Sequence, residues 1–224
     1  MTHSILKHAG SMLLTAAVLI GTQAHAGHRD YEVSITNLTR GQSFTPIVIA
    51  TQRREQGFYE LGEPASAELA TIAESGNPAP ISEALEGSSN TIEVKNSGGL
   101  LGPGETITMT IEGNRAKFIS MASMLIPTND AFVALNSVPL PRGRRSGTHV
   151  AIAYDAGSEP NDELCANIPG PVCGGDGPSP EASGEGYVHI HAGIHGAGDD
   201  VTSLNAAERD FRNPVALVKI RRLR

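Results

Sequence analysis

Three histidines lie close together in the segment Tyr187–His195, which reads YVHIHAGIH. Residues two apart in a strand project from the same face, so His189 and His191 are expected to point the same way. Two imidazoles presented like this suit copper or zinc, and His195 or His149 can supply a third ligand. The pattern also fits a polar strand face with surface histidines beside a glycine-rich turn. The spacing therefore leaves a metal site and a solvated surface both open.

Acidic side chains form a second group whose chemistry points to a metal. Asp130 ends a turn after an apolar run, and Asp155–Glu159 follows another apolar run. Three more residues with oxygen-bearing side chains come close behind, namely Asn161, Asp162 and Glu163. Calcium takes about six to eight oxygen ligands, which loops at strand ends can provide. The EF-hand pattern is absent, and spacing alone favours acids that are simply solvated.

The motifs of common enzyme classes are missing from the chain. It has no Gly-x-Ser-x-Gly elbow, no His-Glu-x-x-His pair and no phosphate-binding loop. Cys165 and Cys173 are the only cysteines, and an even pair so close in sequence predicts a disulfide in an oxidising compartment. Two zinc thiolates are the rival interpretation, but Cys-x-x-Cys spacing is lacking. The sequence therefore predicts no catalysis.

The first 26 residues have the pattern of a signal peptide. Lys7 precedes the apolar run Ser11–Ile20, and Ala24 and Ala26 place small residues where a signal peptidase cleaves. The run is shorter than the roughly 20 apolar residues of a membrane span, although a membrane-anchored N-terminus is the alternative. Cleavage after Ala26 predicts a periplasmic or secreted domain over residues 27–224. No later apolar run approaches membrane length, so no span is expected after cleavage.

Charge excludes one class of partner. The chain carries a formal net charge of −7, and no basic stripe is visible along it. Nucleic-acid binding needs clustered Lys and Arg to neutralise phosphates, so we expect no nucleic-acid partner. Lys219, Arg221, Arg222 and Arg224 form a local basic group that fits a solvated sheet edge.

Most elements that must position these groups are short strands. Alternating or β-branched runs predict strands over 31–36, 46–51, 91–95, 105–112, 117–126, 131–135, 148–154, 187–191 and 215–220. The segment Pro64–Ser75 predicts one short helix that ends at Gly76, and Ile81–Leu85 allows a second helical turn. This order predicts a mostly β antiparallel sandwich. About thirty residues from Asp155 lack periodicity, and the disulfide is expected to pin this long loop.

Three of these segments together resemble a known family. Ser120–Val133, reading SMASMLIPTNDAFV, and Tyr154–Glu159, reading YDAGSE, are similar to the paired motifs of the spondin N-terminal domain, in the same order. The segment Tyr31–Asn37 fits that family's first strand. The resemblance implies a C2-like β-sandwich with calcium at one end.

Residue by residue, the resemblance places the calcium ligands at Asp130, Asp155 and Glu159. Glu159 stands where animal members carry Asp, and its side chain is longer by one methylene. The cysteine pair and the histidine segment lie outside the animal motifs. An extracellular or cell-surface protein or glycan is the partner that the resemblance implies.

Two functions from different classes follow. The first is an exported, calcium-binding β-sandwich that serves as a binding or adhesion module. The second is a periplasmic copper or zinc protein whose ligands are His189, His191 and His195. A third possibility is that both groups are structural and that a surface patch carries the function.

Overall fold

The computed structural model describes residues 29–143, 145–178, 183–196 and 203–223. The proposed signal segment, residues 1–26, lies outside them. The described chain contains ten strands: β1 (Asp30–Asn37), β2 (Ser43–Phe44), β3 (Val48–Gln52), β4 (Thr91–Asn96), β5 (Thr106–Glu112), β6 (Phe118–Ile126), β7 (Ala131–Pro139), β8 (Ser146–Asp155), β9 (His189–Ile190) and β10 (Ala216–Arg222). It also contains the helices α1 (Ala67–Ser75), α2 (Ala79–Glu86) and α3 (Ala206–Arg209).

The strands form one antiparallel sheet that folds back on itself into a nearly closed sandwich. The strand order is β4-β3-β6-β7-β8-β10-β1-β5, with β2 beside β6 and β9 beside β8. The two edge strands meet through side chains, since Lys95 Nζ donates to the Thr110 carbonyl at 2.7 Å and Glu112 N donates to the Glu93 carboxylate at 2.5 Å. Such contacts cover backbone groups that an open edge would expose. The predicted mostly β antiparallel sandwich is confirmed.

The C-terminal strand, β10, lies inside the sheet and not at its edge. β10 lies between β8 and β1 in the sheet, with Lys219 opposite Thr148 and Arg221 opposite Glu32. Lys219, Arg221 and Arg222, the described members of the predicted basic group, therefore do not protect a sheet edge. They project from an interior strand, next to the ends of its neighbours.

Two apolar cores explain the sequence patterns. Alternating strands such as β1 bury one face, with Val33 and Ile35 inside the sandwich. β6 and β7 are buried on both faces, because α1 covers their outer side, and α2 packs beside α1 over β4. Phe132 on β7 packs in that outer core with Leu69 and Ile72 of α1. A strand buried on both faces reads as a continuous apolar run, which is the pattern of β6.

The helices begin and end at residues of defined chemistry. α1 starts at Ala67 rather than Pro64 because Ser66 is its N-cap and accepts a hydrogen bond from Leu69 N at 3.2 Å. It ends at Gly76, whose φ of 67° is left-handed. The second helical turn that the sequence allowed over Ile81–Leu85 lies within α2, and α3 was not predicted. None of the helices in the described part of the chain has the length and apolar character needed to cross a membrane.

The predicted disulfide between Cys165 and Cys173 is present. It closes a small loop within the long connection after β8. Backbone hydrogen bonds hold the loop further, since Gly175 N donates to Ile168 O at 2.9 Å and Asp176 N donates to Ala166 O at 3.0 Å. The disulfide loop is therefore ordered, and it packs against the inner core of the sandwich through Ile168, which is fully buried.

Candidate functional site

The site lies at the end of the sandwich where β6 turns into β7 and where β8 finishes. We call this the acidic end, and it comprises residues 127–131, 155–163 and 183–196. Asp130 closes the β6–β7 turn and is completely buried. Its Oδ2 accepts hydrogen bonds from the backbone N of Ser158 at 2.8 Å and of Glu159 at 3.0 Å. Its Oδ1 is buried without a hydrogen-bond partner in the described structure.

Asp155 is the last residue of β8 and is also buried. Its Oδ1 accepts from Gly157 N at 2.8 Å, and its Oδ2 accepts from Asn161 Nδ2 at 2.7 Å. Gly157 has a φ of +65°, and a Cβ there would lie 2.3 Å from the Tyr187 carbonyl oxygen. The turn after β8 therefore needs glycine both for its backbone conformation and for its contact with the histidine segment.

The two aspartates repel one another in a buried site. Burial, followed by the charge of Asp155, raises the pKa of Asp130 to about 7 from an ordinary 3.8. The hydrogen bonds from Glu159 and Ser158 oppose that rise. Glu159 is buried as well, with 1% of its surface exposed. Three buried carboxyl groups at one end of a sandwich form an environment that a cation would stabilise.

The structure gathers the predicted acidic ligands without bringing all their oxygens into mutual contact. One group of three metal-ligating side chains in the described residues has its ligand atoms all within 4.8 Å of one another, and it is Asp155, Glu185 and His189. Asp130 and Glu159 lie outside that group. Coordination of one ion by Asp130, Asp155 and Glu159 together would need side-chain movement.

The predicted histidine pair approaches Asp155 from two sides. His189 Nε2 lies 3.5 Å from Asp155 Oδ1, and His191 Nε2 lies 4.0 Å from Oδ2. β9 is shorter than the predicted strand, but both rings still reach the same carboxylate. The expected projection of His189 and His191 toward one point is therefore present, and Asp155 occupies that point.

The two rings differ in the nitrogen that is free to bind a metal. His189 Nδ1 lies 3.2 Å from the Ile190 carbonyl oxygen, an acceptor, and its Nε2 faces Asp155 and Glu185. His191 Nδ1 accepts from Gly193 N at 2.9 Å, which assigns the proton to Nε2. Burial lowers the pKa of His191, and the charge of Asp155 opposes that shift. His189 thus directs Nε2 at the two carboxylates, whereas Nδ1 of His191 is engaged by a backbone N–H group.

Neither His195 nor His149 belongs to a described group of three close metal-ligating side chains. The His195 side chain is exposed, and its backbone N donates to Glu163 Oε1 at 2.7 Å. His149 is six residues before Asp155 along β8, roughly 20 Å away at about 3.3 Å per residue. The His189–His191–His195 set does not converge on one point among the described residues, whereas Glu185 joins His189 at 3.8 Å.

Sequence reasoning missed Glu185 as a site residue. Glu185 lies between two glycines in a segment without periodicity. No predicted strand or helix therefore indicated where its side chain would point. Its position four residues before His189 is the one available signal, and it carries meaning only in a helix.

Glu163 is a second residue whose role becomes visible only in the structure. It is buried, with a positive φ of 57°. Its carboxylate accepts from His195 N at 2.7 Å and from Gly196 N at 2.6 Å, while its own N donates to Asn129 Oδ1 at 3.1 Å. Glu163 therefore joins the disulfide loop, the β6–β7 turn and the histidine segment into one structural unit.

Comparison with known families identifies this architecture. The Spondin_N model, the spondin N-terminal domain, matches residues 27–160. The chain belongs to the spondin N-terminal domain family. The matched part of the spondin domain contains Asp130, Asp155 and Glu159, and it ends before Glu163 and Glu185. No curated protein matches the chain. Family membership indicates an extracellular domain of the binding or adhesion type, and the disulfide is consistent with secretion.

Proposed function

We propose that this spondin domain is an exported, calcium-dependent binding or adhesion module without catalytic activity. The observation that carries the proposal is Asp130, a buried carboxyl group with one oxygen unpartnered in the described structure and a second buried carboxylate, Asp155, nearby. Buried charge without compensation is costly, and a bound cation would compensate it.

The donor set fits calcium. Asp130, Asp155 and Glu159 offer carboxylate oxygens, and backbone carbonyls of the surrounding turns are further oxygen donors. Calcium accepts irregular arrangements of such donors, so modest side-chain movement can complete the site. A bound ion would supply positive charge between the β6–β7 turn and the start of the long connection. It would thereby stiffen the acidic end as a platform for a partner.

Export is the second part of the proposal. The segment 1–26 has the pattern of a signal peptide, and the Cys165–Cys173 disulfide suits an oxidising compartment such as the periplasm or the cell exterior. The partner class that we propose is an extracellular or cell-surface protein or glycan, by analogy with the family.

Metal analysis of the purified protein and thermal melting test the calcium proposal. We expect about one calcium per chain and a melting temperature that EGTA lowers by about 5–10 °C, since ligand at 100 times Kd stabilises by about 2.7 kcal/mol. Magnesium at the same concentration should restore less, because it demands stricter octahedral geometry. A melting temperature that ignores both EGTA and added calcium would refute the proposal.

A second candidate function is zinc or copper binding, and the group Asp155, Glu185 and His189 favours it. The carbonyl of Ile190 orients the His189 ring, as outer partners commonly orient metal-bound histidines. One imidazole with two carboxylates suits zinc better than copper(I), which prefers sulfur ligands. The donor set thus differs from the all-histidine set that the sequence indicated.

Zinc titration of single variants tests this second candidate. Glu185→Gln and His189→Ala should each weaken zinc binding about 10-fold or more, and the matched His195→Ala should leave it unchanged. Neither Glu185 nor His189 belongs to the proposed calcium set, so calcium stabilisation should survive both changes. Equal zinc affinity in all three variants would eliminate the candidate.

A further inference from the structure

The end of the sandwich opposite the acidic end carries a dense group of basic side chains. Five segments at strand ends form this basic end, namely residues 29–32, 52–55, 112–117, 139–146 and 219–223. Their described residues include ten Lys or Arg and four Asp or Glu. The acidic end has six Asp or Glu and no Lys or Arg in its described residues. The molecule is therefore polarised along its strands.

Backbone contacts hold the five segments against one another. Gly113 N donates to Arg29 O at 2.6 Å, and Lys117 N donates to Gln52 O at 2.8 Å. The register of β10 with β1 and β8 adds the last two segments. Nine of the ten basic residues are exposed, and Arg222 is half-buried. The positive charge thus lies on the surface, on segments whose backbones are held together.

Two polar clefts share Arg53 on this surface. The first has a volume of about 510 Å³ and is lined by Arg53, Arg54, Glu55, Gln56, Ser89 and Asn90. The second has a volume of about 300 Å³ and is lined by Arg53, Ile92, Glu112, Asn114 and Arg115. Guanidinium groups bind carboxylates and sulfates through paired hydrogen bonds, and the neighbouring amides can bind hydroxyl groups.

We propose that the basic end binds an anionic polysaccharide, with acidic groups on the arginines and hydroxyl groups on the amides of the two clefts. Neither cleft is lined by an aromatic ring, so nucleic-acid bases would find no stacking platform. The large apolar side chains that are exposed in the described residues all lie outside the five segments. The basic end therefore has no such side chain to insert into a membrane. Charge complementarity and polar lining together select the polysaccharide.

Binding of defined polymers to the purified protein tests this proposal. We expect heparin as a sulfated probe, or polygalacturonate as a carboxylated probe, to bind at 50 mM salt, and uncharged dextran not to bind. The triple variant Arg54→Ser, Arg115→Ser, Arg142→Ser should weaken binding about 10-fold and lower its salt dependence, because fewer counterions are released. Binding in the presence of EGTA should be unchanged, since the acidic end lies at the other pole.

Arg212→Ser, compared with Arg54→Ser, is the matched control. Both residues are exposed arginines, but Arg212 lies outside the five segments and pairs with Asp210 at 2.5 Å. We expect Arg54→Ser to weaken polysaccharide binding and Arg212→Ser to leave it intact. Equal loss in both variants, or no binding of either anionic polymer, would overturn the proposal. Tighter binding of duplex DNA or of anionic lipid vesicles would also overturn it, in favour of that other partner.

Discussion

Asp130→Asn is expected to abolish the stabilisation by calcium and, at the same time, to make the ion-free protein more stable at pH 8. The two effects have opposite signs because the Asp130 carboxylate stabilises the fold when a cation is bound and destabilises it when no cation is present. It supplies charge to a bound cation, and without the cation it is a buried charge beside Asp155. Asn keeps an acceptor for the backbone N of Ser158 and Glu159 but carries no charge.

The pH dependence of the ion-free protein follows from the same carboxyl group. The folded-state pKa of Asp130 is raised from 3.8 to about 7, so the folded state holds a proton that the unfolded state has lost between those values. The free energy of unfolding therefore falls as pH rises through this window. At pH 8 the full shift corresponds to about 4 kcal/mol, at about 1.4 kcal/mol per pKa unit. Because burial of the Asn amide nitrogen opposes this, we expect a net gain of about 2 kcal/mol.

Urea unfolding of both proteins at pH 5 and pH 8, with EGTA and with calcium, measures all these terms. Asp176→Asn is the matched control, since Asp176 is an exposed acid on the same long connection. That variant should keep the calcium response and the pH dependence of the parent protein. If Asp130→Asn retained full calcium stabilisation, Asp130 could not be a ligand.

Much of the fold could be predicted because local patterns determine it. Patterns such as the alternation in β1 and β5 and the continuous apolar run of β6 predicted nearly every strand. The disulfide could be predicted because the two cysteines, eight residues apart, each have one possible partner. Asp130, Asp155 and Glu159 were accessible through two short motifs. In each case the signal lay within a few neighbouring residues.

The remaining features depend on contacts between distant parts of the chain. Glu185 meets Asp155 across thirty residues of irregular chain, and Glu163 acquires its role through backbone groups at residues 195 and 196. The basic end was missed for the same reason, since its arginines come from five segments that only the sheet topology brings together. The net charge of −7 gives no sign of the basic end, because acidic residues elsewhere, including those of the acidic end, outweigh its arginines and lysines.

Glu163→Ala is expected to destabilise the protein by about 3 kcal/mol, although Glu163 belongs to neither proposed metal set. Its carboxylate is buried and accepts two backbone N–H groups, of His195 and Gly196. Alanine would leave both donors without an acceptor, and hydrogen bonds to a charged group contribute about 1.5–3 kcal/mol each. At about 2–4 °C per kcal/mol, the melting temperature should fall by roughly 6–12 °C.

The Glu163→Ala change should loosen the chain around His195 and Gly196 more than the rest of the domain. This distinguishes the hydrogen-bonding role of Glu163 from a general contribution to packing. Amide hydrogen exchange should accelerate at His195 and Gly196, while β6 and β7 keep their protection because their cores do not include Glu163. Glu163→Gln retains one acceptor oxygen and should recover part of the stability. The matched change at an exposed acid, Glu60→Ala, should alter stability by less than about 0.5 kcal/mol. If Glu163→Ala were as mild as Glu60→Ala, the histidine segment would be held by its other contacts, such as the backbone hydrogen bonds from Val188 N to Glu63 O and from His191 N to Ala153 O.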